Sequence, residues 1–545
     1  MSIAEPAHAR HGVVTAVESL AAKAGASVLR LGGNAADAAI AVAFAQGVVN
    51  PIHCGIGGSF HGLFFDAGTK RLMAVSAGGR APMAASASMF KPRGQWGAIW
   101  QVQGDENRLG YRASMVPGFV RGAWKAFDEF GSGKVSWATV IAPAIALAEK
   151  GFTVYPYLYR LWMPKNERMH GFLELLDGPT TLGHTAESRR VYLHDDGTVY
   201  RIGETLRLPD YAATLRRIAD QGGDEFYEGE TGRRIVEDFA ANGGLLTAAD
   251  LHAYTADLVD PVTTTFRGFD VYTEPAPTVG PVTLEILNII EPWDLKSLGW
   301  NSAPYLDRLA RAMHIGFRDR MRWVTDPDIN DAPVARMITK AYGAEMRELA
   351  EGPNWADPPS ATGSLGGETT HSTTVDADGN AAAITHSTGV SSGVVTPGLG
   401  FQHNCHMIQF DPIPGRLNSI APWKRAVTGG GPAFFMRDGA IDLAIGSPAG
   451  ARKVTALIQA FLNINDFGMT PQEAVAAERI HVEDVPRQVI VEPHFPPATA
   501  LELAALGYDV ELEWYTARLT GVQRATDGSL TGASDPRGDG GLEVV

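Results

Sequence analysis

The sequence predicts a mixed α/β fold with helices packed over strands. Three observations carry this reading. Two stretches near the start, Ala16 to Arg30 and Ala35 to Val49, place apolar residues at helical intervals. Short strand-like runs, Gly62 to Phe65 and Leu72 to Val75, flank the turn residues Asp66, Ala67 and Gly68. Late in the chain the pattern changes to an alternation of period two, just after a break rich in Pro, Gly and Ser.

The first helix is stopped by Gly32 and Gly33, in the way a C-terminal glycine ends a helix. The second is Ala-rich and mostly apolar, so it is expected to be buried. Longer helical stretches follow from Pro117 to Gly151 and from Tyr211 to Gly243, each ending in glycine. Between Glu351 and Glu368 the segment EGPNWADPPSATGSLGGE has almost no apolar periodicity and reads as a solvated linker or a processing segment. Thr370, Ser372 and Thr374 then alternate with their neighbours, Asp376 to Asn380 form a turn, and Ala381 to Ser387 return. That is a β-hairpin.

A chain of 545 residues, 45% hydrophobic, has material for two or more domains. The net charge of -15, with no Lys/Arg run longer than two, argues against a nucleic-acid partner. Two cysteines, Cys54 and Cys405, make no disulfide framework, although a single bridge between them stays open. The first residues lack a secretory pattern, and the apolar stretch from Ala38 to Val49 is far short of the ~20 residues that span a bilayer. A cytoplasmic protein without a membrane partner is expected.

Thr369 stands where the linker meets the hairpin. A hydroxyl is a weak nucleophile unless a base lies close by. A threonine at a chain terminus carries its own base, because an α-amine with a pKa of roughly 7.7 to 8.0 can take the hydroxyl proton. Cleavage between Glu368 and Thr369 would create such a terminus, whereas an uncut chain would make Thr369 an ordinary strand edge.

The segment TTHSTTVDADGNAAAIT, residues 369 to 385, resembles the start of the small subunit in the γ-glutamyltransferase family. GGNAADAA at 32 to 39, GIGGSF at 55 to 60, NGGLLTAADLHAY at 242 to 254, RGFDVYTEPAPTVG at 267 to 280, GSPAGAR at 446 to 452 and GASDPR at 532 to 537 continue the resemblance in the family's order. It implies an Ntn-hydrolase fold: an αββα sandwich, two stacked antiparallel sheets flanked by helices. It also implies a precursor cut into a large subunit, 1 to 368, and a small one, 369 to 545. The implied activity is that of a self-processing amidohydrolase or acyltransferase that needs no cofactor. Its partners would be a small-molecule amide and its own two subunits, with further assembly into a homo-oligomer left open.

By the same resemblance Thr369 attacks the carbonyl of Glu368 during maturation and a substrate amide afterwards. Ala449 and Gly450 supply the backbone N–H donors for the oxyanion, Ala449 standing where the family has glycine. Ser387 aligns with the hydroxyl residue that orients the nucleophile.

The substrate-binding positions depart further. The family's arginine aligns with Gly78, and the nearest arginine is Arg80. Its ammonium-binding aspartate aligns with Gln409, its asparagine with Gly389, and its two serines with Thr428 and Gly429. His406 aligns with a substrate-side position. Glutamine cannot replace aspartate against an ammonium. The expected substrate is therefore an amide other than a standard γ-glutamyl compound, such as a small carboxylated amide held by Arg80; true glutathione hydrolysis is the alternative, and Arg80 reads equally as a salt-bridged surface residue.

Two other signals have different readings. GVSSG at 389 to 393 matches a serine-hydrolase elbow on Ser391, but Pro397, Gly398 and Gly400 follow where that elbow needs a helix. His403, Cys405 and His406 cluster like metal ligands, yet no second Cys or His pair completes a four-ligand site, so no metal is expected. A non-catalytic scaffold is disfavoured by the presence of Thr369, Ser387 and the 446 to 450 turn.

Overall fold

The computed structural model describes residues 9–96, 99–167, 177–356, 369–513 and 517–545. Two antiparallel sheets form its centre. The strands that build them are, in chain order, β1 (Gly12–Ala16), β2 (Ser59–Asp66), β3 (Arg71–Ala77), β4 (Asp257–Val259), β5 (Val262–Phe266), β6 (Phe269–Thr273), β7 (Thr370–Asp376), β8 (Ala381–Ser387), β9 (Ala433–Arg437), β10 (Ala440–Gly446), β11 (Thr520–Arg524), β12 (Leu530–Ser534) and β13 (Gly541–Val544). The first sheet runs β13-β1-β7-β8-β2-β3-β4 and the second β12-β11-β10-β9-β6-β5.

Val13, Leu63, Val375 and Ala383 from the first sheet pack against Phe434, Ala444 and Val522 from the second, which defines the inner layer. The outer face of the first sheet is covered by α1 (Ser19–Arg30), α2 (Ala35–Val49), α3 (Phe119–Phe130) and α4 (Trp137–Lys150). Against the second sheet lie α5 (Gly280–Ile290), α6 (Ala303–Trp323), α7 (Lys340–Glu351) and α8 (Arg452–Asn465). This is the four-layer αββα sandwich that the resemblance implies.

The helix read at Ala35 to Val49 has those bounds and is buried on every side, which its alanines permit by letting neighbours approach closely. Asn34 and Asp37 form a capping box at its start, and Asp376, in the hairpin turn, accepts a hydrogen bond from the Ala35 N–H at 3.0 Å. The first helix starts three residues later than read, because Gly12–Ala16 pairs with β7 before the chain turns. The stretch from Pro117 to Gly151 is two helices, separated where Gly131 leaves helical geometry and Ser136 caps the next.

The two segments on either side of residue 368 do not fold as separate bodies. β7 and β8 lie between β1 and β2, so each sheet takes strands from both segments. Much of the predicted linker, residues 357 to 368, falls outside the described residues, and with it Glu368.

Candidate active site

β7 and β8 pair with Thr370 opposite His386. Carried one residue further, the register sets Thr369 opposite Ser387, which pairs on its other side with Ser59 of β2. The Thr369 Oγ1 is buried and has no hydrogen-bond partner among the described residues. A buried hydroxyl left without a partner is unfavourable, and such atoms concentrate at functional sites. Ser387 Oγ accepts from the Gly389 N–H at 2.8 Å and donates to the His53 carbonyl at 3.3 Å.

Strand alternation sends the next two side chains to opposite faces. Thr370 Oγ1 donates to Glu18 Oε2 at 2.7 Å, and this buried carboxylate also receives Gln46 and Asn50. His371 faces the second sheet, its ring nitrogens 2.8 Å from Thr385 Oγ1 and 3.0 Å from Thr373 Oγ1. Burial, with smaller contributions from Lys453 and His386, holds its pKa well below the ordinary histidine value, so the ring is neutral. It lies so close to β10 that a Cβ on Gly446 would sit 2.3 Å from its Cε1. Glycine is required there.

β10 ends at that glycine, and the chain turns through Ser447 to Ala451 into α8. Ala449 has φ +84° and Gly450 φ +52°. Among the described residues neither N–H meets an acceptor, and no side chain caps α8. A strand-turn-helix with open N–H groups and the positive end of a helix dipole can stabilise a developing oxyanion. Ser447 Oγ donates to the Arg518 carbonyl at 2.9 Å, and Arg518 Nη1 stands 4.0 Å from Glu18, so the turn and β7 share one polar network.

A narrow pocket opens on the β2/β3 side of β7. His406, Gln409 and Thr428 line it, with Ser59, His61, Ser76 and Arg425 from outside the sequence expectation. Gly389 packs against Cys405 and His406, and Gly429 against Gly450 of the turn before α8. Burial, reinforced by His61, brings the His406 pKa down to about 3, and its Nε2 has no partner among the described residues. Among the described residues that line it, none is an Asp or Glu.

Arg80 is not among the lining residues. Its guanidinium lies 3.2 Å from Asp328, 3.7 Å from Asp257 and 3.1 Å from the Trp423 carbonyl. Arg425 does line the cavity but donates to Asp326 through Nε and Nη2, at 3.0 and 2.7 Å, and lies 2.9 Å from Asp328. Two arginines thus face three aspartates.

Sequence reading missed His61, Glu274 and Lys453. His61 Nδ1 is 3.0 Å from Glu274 Oε2, both buried. A Cβ at Gly78 would already approach the His61 ring to 3.3 Å, so His61 fills the space where the family's arginine would start. Lys453, in the first turn of α8, is buried with its Nζ unpartnered among the described residues. Burial, partly offset by Glu274, lowers its pKa to about 7. The available signal was three polar side chains in otherwise apolar strand and helix patterns.

The other candidate clusters come apart. Ser391 Oγ donates to Gln402 at 2.6 Å and no helix follows. His403 bonds Thr396 at 3.0 Å, while Cys405 Sγ accepts from the Val390 N–H at 3.2 Å.

Residues 21–545 match the family model described as Gamma-glutamyltranspeptidase. The chain is 36% identical to an acylase ACY 1 proenzyme of Pseudomonas sp. (strain SE83), with 98% of this chain and 94% of that protein covered. It is 35% identical to a glutathione hydrolase proenzyme of Pseudomonas aeruginosa at the same coverage. Its structure superimposes on the cephalosporin acylase from Bacillus halodurans with a TM-score of 0.85 at 28% identity, covering 100% of this chain and 97% of that one. The chain belongs to the gamma-glutamyltranspeptidase family.

Proposed function

We propose that the protein is a self-processing amide hydrolase or acyltransferase in which Thr369, freed by cleavage after Glu368, is the nucleophile. The observation that carries this is the buried Thr369 hydroxyl at the head of β7, without a partner among the described residues and opposite Ser387, with the open N–H turn of Ala449 and Gly450 on the facing sheet. The freed α-amine takes the hydroxyl proton, Thr369 Oγ1 attacks the amide carbon, and the oxyanion is received by the Ala449 and Gly450 N–H groups. Collapse expels the amine, and water or a second amine takes the acyl group. Ser387, fixed by Gly389 and His53, orients the nucleophile.

The acyl group lacks an α-ammonium. Among the described residues no carboxylate lines the cavity, Gln409 stands where a charge would be needed, and both nearby arginines are held by aspartates. An unpaired ammonium there would lose a charge-assisted bond, about 1.5–3 kcal/mol or ten- to a hundredfold. The family's acylase and glutathione hydrolase relatives mark the two readings. γ-Glutamyl and glutaryl p-nitroanilides differ in that amine alone. Faster release from the glutaryl compound is expected; faster release from the γ-glutamyl compound would select glutathione-type hydrolysis instead. On a denaturing gel the wild type should run as fragments of 368 and 177 residues, and Thr369→Ala as one chain.

A further inference from the structure

The inner face of the first sheet carries a polar group beyond the nucleophile and its orienting serine. Residues paired directly across antiparallel strands share a face, and so do residues two apart along one strand. Thr369, Ser387 and Ser59 make one such row. In the next row His371 pairs with Thr385, Thr385 with His61 and His61 with Ser76. His61 therefore lies on the nucleophile's face, one row along and two strands across. Strand spacings of ~4.8 Å and a row repeat of ~7 Å put the two Cα atoms roughly 12 Å apart.

His61 is 2% exposed and lines the narrow pocket. One edge of its ring is held from the second sheet, where the fully buried Glu274, just after β6, stands 3.0 Å from Nδ1. A Cβ on Gly430 would sit 2.9 Å from the ring Cγ, so the imidazole is packed closely on that side. The other edge faces the pocket: a Cβ on Gly78, which also lines it, would sit 3.4 Å from Nε2. Nε2 is buried and has no hydrogen-bond partner among the described residues. A buried nitrogen left so is unfavourable until a ligand supplies the partner. Around it the lining offers the hydroxyls of Ser59, Ser76 and Thr428, the Gln409 amide and Arg425, itself paired with Asp326, and among the described residues no acid.

We infer that His61 is a specificity-determining residue that receives a carboxylate at the far end of the acyl group, with Glu274 as its positioning residue. The inference rests on Thr369 as the nucleophile and deepens the acyl reading by naming the group at the chain's far end. Because Glu274 accepts the Nδ1–H, Nε2 donates once the ring has taken a proton from solvent, and the imidazolium is then shared by two carboxylates, one on each side. An ammonium would meet no acid in the lining, and an alkyl end would leave Nε2 unpaired. An acyl chain of about five carbons, with the ester bond to Thr369 Oγ1 at one end and a hydrogen bond of ~2.8 Å at the other, matches the separation of the two residues.

The test compares glutaryl p-nitroanilide with pentanoyl p-nitroanilide, in which a methyl replaces the distal carboxylate, on the matured protein and its variants. The wild type should favour the glutaryl compound in kcat/KM about ten- to hundredfold, as one charge-assisted bond allows. His61→Leu should bring that ratio close to one. Glu274→Gln, which keeps the shape of the side chain but removes the charge behind the ring, should lower it about tenfold, through KM for the glutaryl compound. His61→Gln, which keeps a donor of similar reach, should fall between wild type and His61→Leu, a graded response that a merely structural role would not give. Equal turnover of the two anilides by the wild type, or a wild-type ratio in a His61→Leu or His61→Gln protein that is cut normally, would overturn the assignment. Turnover of either anilide by Thr369→Ala would instead remove the nucleophile reading.

Discussion

Lys453 offers a prediction whose sign depends on the physics of the buried site. Its amine is enclosed at the start of α8 with no hydrogen-bond partner among the described residues, and burial brings its pKa to about 7. In the unfolded chain a lysine titrates near about 10.4. Between these values the unfolded state binds more protons than the folded one, so stability rises with pH across that window. At pH 7 folding must strip or bury the charge, a penalty on the order of 5 kcal/mol at about 1.4 kcal/mol per pH unit. At pH 9 the penalty has fallen to about 2 kcal/mol. Lys453→Met keeps the length of the side chain and removes the titration. It should therefore stabilise the protein at pH 7, and the gain should shrink by about 1.4 kcal/mol per unit as the pH is raised to 9. Urea unfolding of matured wild type and variant at pH 7, 8 and 9 measures this. If Lys453 were instead a charged partner of Glu274, its removal would leave a buried carboxylate exposed to the low dielectric and destabilise by about 3–5 kcal/mol. A loss of stability, or a difference that does not vary with pH, would refute the argument.

Three further outcomes follow from the same geometry. Ala449→Gly should raise thermal stability slightly, because φ +84° strains an alanine by about 1–2 kcal/mol while glycine costs roughly 0.5–1 kcal/mol in chain entropy, and turnover should stay within about twofold since the N–H remains. Gly446→Ala should lower kcat about a hundredfold, as a methyl 2.3 Å from the His371 ring forces β10 and the oxyanion turn away from β7; a normal rate would show that the turn is not aimed from β10. Gln409→Asp should raise kcat/KM for the γ-glutamyl anilide about tenfold by restoring a partner for the ammonium, and no change would place the α-amine of that substrate elsewhere.

The elements that local patterning controls were legible in the sequence. The hairpin of β7 and β8 follows from alternation around a turn of Asp and Gly, and that register alone sets Ser387 opposite Thr369. α2 follows from its Ala-rich, mostly apolar run after the glycines that stop the first helix. What could not be read arises where distant segments meet. His61, Glu274 and Lys453 come from β2, the end of β6 and α8, and converge only once the two sheets are stacked. Arg80 reads equally as a substrate ligand or a structural ion pair until Asp257 and Asp328, far along the chain, are brought beside it.

In the proposed mechanism Thr369 is at once the N-terminus that cleavage creates and the residue whose Oγ1 carries the acyl group. Intact-mass analysis of the protein quenched in acid during turnover of glutaryl p-nitroanilide tests both halves at once. Two fragments are expected, with residues 369 to 545 gaining the mass of one glutaryl group on their N-terminal residue, and no adduct in Thr369→Ala. An active wild type that stays as one uncut chain, or an adduct located on any other residue, would contradict it.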